Sequence, residues 1–216
     1  MKILIIAGGK FEYEFVVSFL EKNKYDHVIA VDKGLEYAKK LSIVPDLWLG
    51  DFDSVCYKEL GKEFPLMEIL SFNSEKAETD TELAINKAVE LNADFDIICG
   101  MGGRMDHFFG VVHNLKRATD AGLVGRVVDS SNVIALKNGE FEIRKHDFNG
   151  KYISFMPFGG NVTNLTLKGF KYTLDGYDLK PGESRCISNE LAEDTATVSF
   201  DNGYLLVIES LDIETE

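Results

Sequence analysis

The sequence predicts an α/β protein in two parts. An N-terminal parallel-sheet α/β (Rossmann-like) domain spans residues 1–130, and a C-terminal all-β sandwich domain spans residues 131–216. Two observations predict this. Up to about residue 130, short apolar runs alternate with amphipathic stretches of helical length, the pattern of a parallel sheet covered by helices. Beyond it, β-rich runs follow one another through Asn-, Gly- and Pro-containing connections, as in a sandwich or barrel. The change of style at Asp129–Asn132 marks the boundary.

Each element has its own signal. "KILII" is an apolar run closed by Gly8-Gly9, and "FEYEFVVSFLEK" predicts a helix after it. "HVIAVD" and "DLWLGDF" predict the second and third strands, with a helix over "KGLEYAKKL" between them. "SVCYKELGKEF" suits a short helix and "LMEILSF" a fourth strand. In "ETDTELAINKAVEL", Thr79 and Glu82 fit a capping box, and Leu83, Ala84, Ala88 and Leu91 share a helical side. "FDIICGMGG" is a fifth strand, "DHFFGVVHNLKRATDAG" a helix closed by Gly122, and "GRVVDS" a sixth strand. In the C-terminal part, Asn138-Gly139 and Asn202-Gly203 each stand between two β-rich runs and predict hairpins.

Composition narrows the function. A net charge of −13 argues against a general binder of nucleic acid or anionic membranes, which needs a Lys/Arg footprint. It leaves a nucleotide substrate open, because carboxylates can hold Mg²⁺ and the ion meets phosphates. The three cysteines, Cys56, Cys99 and Cys186, are odd in number and widely spaced. They predict neither a disulfide framework nor a zinc site, and they suit the reducing cytoplasm. The apolar run in "MKILIIAGGK" is too short for a signal peptide, and no run approaches the roughly 20 residues of a membrane helix.

Ligands of open parallel sheets bind beyond the C-terminal ends of the strands. Here those ends carry Asp32, Asp51 and Asp53, and then Gly100, Gly102, Gly103, Arg104 and Asp106; Asp80 opens the helix after the fourth strand. Five carboxylates would repel one another without a cation. With Mg²⁺ they become hard oxygen ligands, Arg104 offers a planar fork for phosphate, and the glycines let N–H groups approach anionic oxygens. Transfer of a phosphorus group suits such a rim. Each residue also has a structural use. Asp80 suits a helix N-terminus, Asp32 a turn, and Asp106 a cap, while Trp48 and Phe108-Phe109 suit the core. Gly-Asp-Phe-Asp is the stretch that folding alone explains least. "GMGGRM" is not the dinucleotide fingerprint, and no P-loop motif occurs.

Taken together, "PDLWLGDFDS", "KAETDTELA" and "GGRMDH" resemble the thiamine pyrophosphokinase family, and "ISNE" (Ile187–Glu190) resembles its thiamine-site segment. The resemblance covers roughly residues 27–208. It implies transfer of a pyrophosphoryl group from ATP to the hydroxyethyl oxygen of thiamine, giving thiamine diphosphate and AMP. It implies a homodimer with the site near the interface. Asp51, Asp53 and Asp80 would be the Mg²⁺ ligands and part of the catalytic set, with Lys76 and Thr79 beside them. Arg104 and Asp106 would lie near the transferring phosphates or the attacking hydroxyl, and Gly102 and Gly103 near the anion. Asp32 matches the aspartate of an early Asp-x-Gly segment, and Ser188 and Asn189 fall in the thiamine segment. Two departures stand out: Ala77 where the family often has Asp, and Val111 where it often has Asn. The rival expectations are a Mg²⁺-dependent diphosphokinase for another alcohol (pterin-type), a nucleotide phosphohydrolase, a non-catalytic nucleotide-binding regulator and an acidic interaction protein.

Overall fold

The structure, a computed structural model, describes residues 1–50, 63–65, 67–71 and 77–212. The expected short helix over "SVCYKELGKEF" falls almost wholly outside the described residues, as do Asp51, Asp53 and Lys76. The chain is mixed α/β, with four helices among the described residues, and divides into two compact units, Met1–Ser130 and Ser131–Glu216.

In the first unit the strands are β1 (Lys2–Ile6), β2 (His27–Val31), β3 (Leu47–Gly50), β4 (Glu68–Ser71), β5 (Asp94–Ile98) and β6 (Gly125–Val128). The helices are α1 (Tyr13–Lys22), α2 (Gly34–Lys40), α3 (Asp80–Glu90) and α4 (Met105–Asp120). The strands lie in the order β4-β3-β2-β1-β5-β6, and every pairing is parallel. Ile3 to Ile6 of the central β1 are all buried, because a strand covered on both faces reads as a continuous apolar run. Phe15, Phe19 and Leu20 of α1 and Tyr37 of α2 pack with Leu4, Ile6 and Ile98.

Helix α3 starts as its capping signal implies, with the Thr79 hydroxyl accepting from Glu82 N at 3.2 Å. The Glu82 carboxylate accepts from Arg117 of α4, tying the two helices together. The buried side of α3 is Ala84, Ile85 and Ala88, while Leu91, expected on that side, is 39% exposed. Leu91 is the C-cap, past the last helical residue, so the helical spacing no longer aims it inward.

In β5, Asp96 is fully buried beneath three donors from separate segments. Arg126 Nε and Nη2 donate to its two oxygens at 2.6 and 2.8 Å, Tyr25 OH donates at 2.6 Å, and Lys2 Nζ lies at 2.8 Å. Burial pushes the Asp96 carboxyl up, but the bonds and charge of Arg126, with Lys2 and Tyr25, outweigh it and leave it below its ordinary value.

The second unit is antiparallel throughout. Its strands are β7 (Asn132–Lys137), β8 (Phe141–Arg144), β9 (Tyr152–Lys168), β10 (Leu174–Leu179), β11 (Thr195–Ser199) and β12 (Asn202–Ser210). The order is β7-β12-β9-β11-β8, and β10 pairs with β9. The 17-residue β9 pairs with β12 mainly through Tyr152–Phe158 and with β11 through Thr166–Lys168. Ile153, Phe155, Val162, Leu165, Leu167, Ala196, Val198 and Leu205 form its core.

Neither expected hairpin forms. β7 pairs with β12 and β8 with β11, and β11 and β12 pair with β9 and not with each other. A two-residue type I′ turn needs positive φ at both central residues, and neither Asn138 nor Gly139 has it. Gly203 has φ +110°, but it lies inside β12 where the register with β9 shifts. A Cβ there would stand 2.4 Å from Asn161 O, so glycine serves a strand irregularity and not a turn.

Candidate active site

The strand order reverses between β1 and β5: β2, β3 and β4 extend to one side, β5 and β6 to the other. A crevice opens at such a switch point because the following helices diverge to opposite faces. A cleft of about 330 Å³ lies there. Gly8 and Gly9 follow β1, Asp32 and Lys33 follow β2, and Cys99 to Gly103 follow β5; all but Met101 line it. Thr81, in the first turn of α3, and Arg104, the N-cap of α4, complete its polar rim.

Backbone geometry shapes the rim. Ala7 N donates to Ile98 O at 3.0 Å and Gly9 N to Cys99 O at 2.7 Å, which prolongs the β1–β5 pairing past the sheet. Asp32 and Cys99, the residues ending β2 and β5, both hold left-handed conformations, with φ +49° and +56°. Such strain in non-glycine residues concentrates where a site needs a particular backbone direction. Asp32 is fixed by its own N–H to Leu49 O at 2.8 Å, while its carbonyl accepts from Trp48 Nε1 at 3.2 Å. Trp48 itself is core, as expected.

The charged groups are specific. Arg104 Nε and Nη2 donate to Asp106 Oδ1 and Oδ2 at 3.0 and 2.5 Å, and His107 N also donates to Asp106 Oδ1 at 3.0 Å. The Arg104 bonds chiefly hold the Asp106 carboxyl down at about 2. Asp106 is therefore a fixed negative charge and a poor proton acceptor near neutrality. Burial pushes the Cys99 thiol up to about 12, which makes it a poor nucleophile despite its place in the cleft.

The structure thus brings Asp32, Gly102, Gly103 and Arg104 into one cleft, with Asp106 bonded to Arg104. Asp80 is the first residue of α3, next to the lining Thr81, and Thr79 is spent on the cap. Among the described residues, no group of three His, Cys, Asp or Glu stands close enough to hold a metal ion. The sequence reading missed Lys33, His107 and Phe108 as lining residues. Position just beyond a strand end was the available signal for Lys33. It also placed Phe109 in the core, whereas Phe109 is 56% exposed and is not among the buried residues of α4.

Ser188 and Asn189 lie in the second unit. Ser188 is exposed and left-handed (φ +57°), with its N–H donated to Ser154 Oγ at 3.0 Å. The Asn189 side chain is buried and builds structure: Oδ1 accepts from Tyr172 N and Glu190 N, and Nδ2 donates to Tyr172 O. A second cavity of about 500 Å³ is lined by Asn189, Ile187, Arg185, Tyr172 and Lys171 among others.

A switch-point cleft lined by glycines, an aspartate and two cations is an arrangement suited to a phosphorylated ligand, and it puts the chain in the class of α/β proteins with a site at the carboxyl edge of the sheet. Comparison with known proteins narrows that class. Residues 20–124 match the family "Thiamin pyrophosphokinase, catalytic domain" and residues 128–205 match "Thiamin pyrophosphokinase, vitamin B1 binding domain". A thiamine pyrophosphokinase of Bacillus subtilis is 39% identical over 97% of this chain and 99% of its own. Among solved structures, thiamine pyrophosphokinase from Bacillus subtilis superposes with a TM-score of 0.87 at 33% identity, covering 99% of this chain and 100% of that one. The Geobacillus thermodenitrificans protein gives 0.86 at 32% identity over 99% of both chains. The chain belongs to the thiamin pyrophosphokinase family. Nothing in these similarities favours a pterin-type diphosphokinase or a phosphohydrolase.

Proposed function

We propose that this chain is a thiamine diphosphokinase, moving the pyrophosphoryl group of ATP to the hydroxyethyl oxygen of thiamine and releasing AMP. The observation that carries the reading is the switch-point cleft, whose lining of glycines, Arg104, Lys33 and Asp32 suits a metal-bound polyphosphate, in a chain related over nearly its full length to thiamine pyrophosphokinases. On this reading the N-terminal unit is a Rossmann-like ATP domain (residues 1–130), and the C-terminal unit is a thiamine-binding sandwich (residues 131–216). Ser188 contacts thiamine, and Asn189 holds that segment in place.

The thiamine hydroxyl oxygen bonds to the β-phosphorus of ATP as the bond from that phosphorus to the α–β bridging oxygen breaks. AMP leaves with the bridging oxygen, and the hydroxyl proton passes to water. Arg104 and the N–H groups of Gly102 and Gly103 stabilise charge on the transferring and leaving oxygens. Asp106 holds the Arg104 guanidinium in one orientation by the two bonds between them. It orients the hydroxyl without taking its proton, because a loose transition state needs little base strength.

The donor set fits Mg²⁺, since every candidate ligand is a carboxylate. A Cβ on Gly50 would stand 2.9 Å from Asp32 Oδ1, so glycine lets that carboxylate lean over the end of β3, next to Asp51 in sequence. Asp51, Asp53 and Asp80 would hold the ion, with Lys76 and Thr79 beside them, and the ion would supply charge neutralisation for the phosphates. The enzyme works on this reading as a cytoplasmic homodimer with its site near the interface. Among the described residues no helix is long and apolar enough to cross a membrane, and Cys99 and Cys186 are free. The test is a product assay with ATP, Mg²⁺ and thiamine. Equal AMP and thiamine diphosphate, formed only when thiamine and Mg²⁺ are both present, are expected. AMP formed without thiamine would overturn the proposal.

A further inference from the structure

We infer that Lys33 is a nucleotide-phosphate contact, the cation that draws the polyphosphate of ATP into the cleft. The inference rests on the proposed function and adds a residue to its machinery. Lys33 follows the left-handed Asp32 at the end of β2, and its exposed side chain borders the same cleft as Gly9, Gly103 and Arg104. Its backbone lies against Gly8, whose own Cβ position would be 3.5 Å from Lys33 Cβ, so lysine and glycine form adjoining parts of one wall.

The charge balance of the cleft makes Lys33 the important cation. Arg104 shares its charge with Asp106 through two bonds, so it cannot balance the polyphosphate alone. Among the described residues no carboxylate pairs with Lys33; its ammonium stands 5.7 Å from the Tyr37 ring centre. The Lys10 ammonium is bound by Glu12 at 2.8 Å. In a chain of net charge −13 with Asp32 on the same wall, a polyphosphate that stays anionic even with Mg²⁺ bound is favoured by a positive charge facing it. An ammonium on a flexible stem suits phosphates as a point charge that follows the anion.

The test uses the full chain with Lys33→Met, which keeps the apolar stem, and Lys33→Arg, which keeps the charge. Lys39→Met is the control: Lys39 lies on α2, bonded to Glu63 and outside the cleft lining. ATP and AMP affinities are measured by calorimetry with Mg²⁺ present, alongside KM and kcat in the product assay. Loss of one charge-assisted contact predicts that Lys33→Met weakens ATP binding and raises KM for ATP about tenfold or more. AMP affinity should change far less, Lys33→Arg should restore most of the loss, and KM for thiamine should hold. If the wild type makes thiamine diphosphate while Lys33→Met binds ATP within twofold of it, this inference falls and the proposed function stands. If AMP affinity drops as much as ATP affinity, Lys33 serves the nucleoside end or the shape of the cleft, and the inference also falls. A wild type that neither binds ATP nor turns over removes both.

Discussion

Replacing Asp96 by Asn tests how the first unit is held together. The carboxylate is 1% exposed and accepts from Arg126, Tyr25 and Lys2, so the substitution removes the one charge that two cations share. Breaking a buried ion pair from one side costs about 3–5 kcal/mol, because the partner charge is left uncompensated. Here Arg126 is 29% exposed and Lys2 33% exposed, and both can turn toward water, which places the expected loss near ~3 kcal/mol. Urea unfolding followed by Trp48, the single tryptophan and a buried residue of this unit, measures it. The pH dependence supplies a second reading. The folded carboxyl lies below its ordinary value of 3.8, so its contribution is complete above that value and fades as pH falls through the folded value. The gap between wild type and Asp96→Asn should therefore be constant near neutrality and narrow in acid below about pH 4. A loss under ~1 kcal/mol at neutral pH, or a gap that does not narrow in acid, would refute the reasoning.

Thr79→Ala removes the cap of α3 and should cost about 1 kcal/mol of stability, while Thr79→Ser should restore it; equal midpoints for Ala and wild type would dismiss the cap. Cys99, pushed up to about 12 by burial, should resist iodoacetamide at pH 8 in the folded protein and react on unfolding; peptide mass spectrometry reads the difference. Asn189→Ala should cost about 1–3 kcal/mol in thermal or urea unfolding, because three backbone groups of Tyr172 and Glu190 lose their partner. If stability holds and only KM for thiamine rises, Asn189 touches the substrate directly.

The strands of the first unit were legible because each buried strand is a short apolar run with a polar boundary, and the runs alternate with helical spacing. Placing Asp32 and Gly102 to Arg104 in one cleft needed no more than the rule that strand ends converge. Asp96 was not legible: within "FDII" it reads as an ordinary polar position, and its partners come from β1, from the turn before β2 and from β6. The Asn-Gly hairpins failed for a related reason. The dipeptide is a local signal, whereas the partners of β7 and β11 are chosen by which apolar faces meet across the unit. Lys33 carries no motif of its own, and only its place just beyond β2 marks it in the sequence.

The placement of β12 has a consequence for how the second unit acquires its structure. Within this unit β12 is the partner of β7 and of the first half of β9, and Asn132 faces Ser210 across a long stretch of intervening chain. While the protein is being synthesised, β7 and half of β9 therefore wait with unpaired edges until residue 210 has emerged. Closure over such a distance is slow, so this unit should be the later to fold and the more dependent on chaperones. The first unit pairs its six strands entirely within the earlier part of the chain and has no such wait.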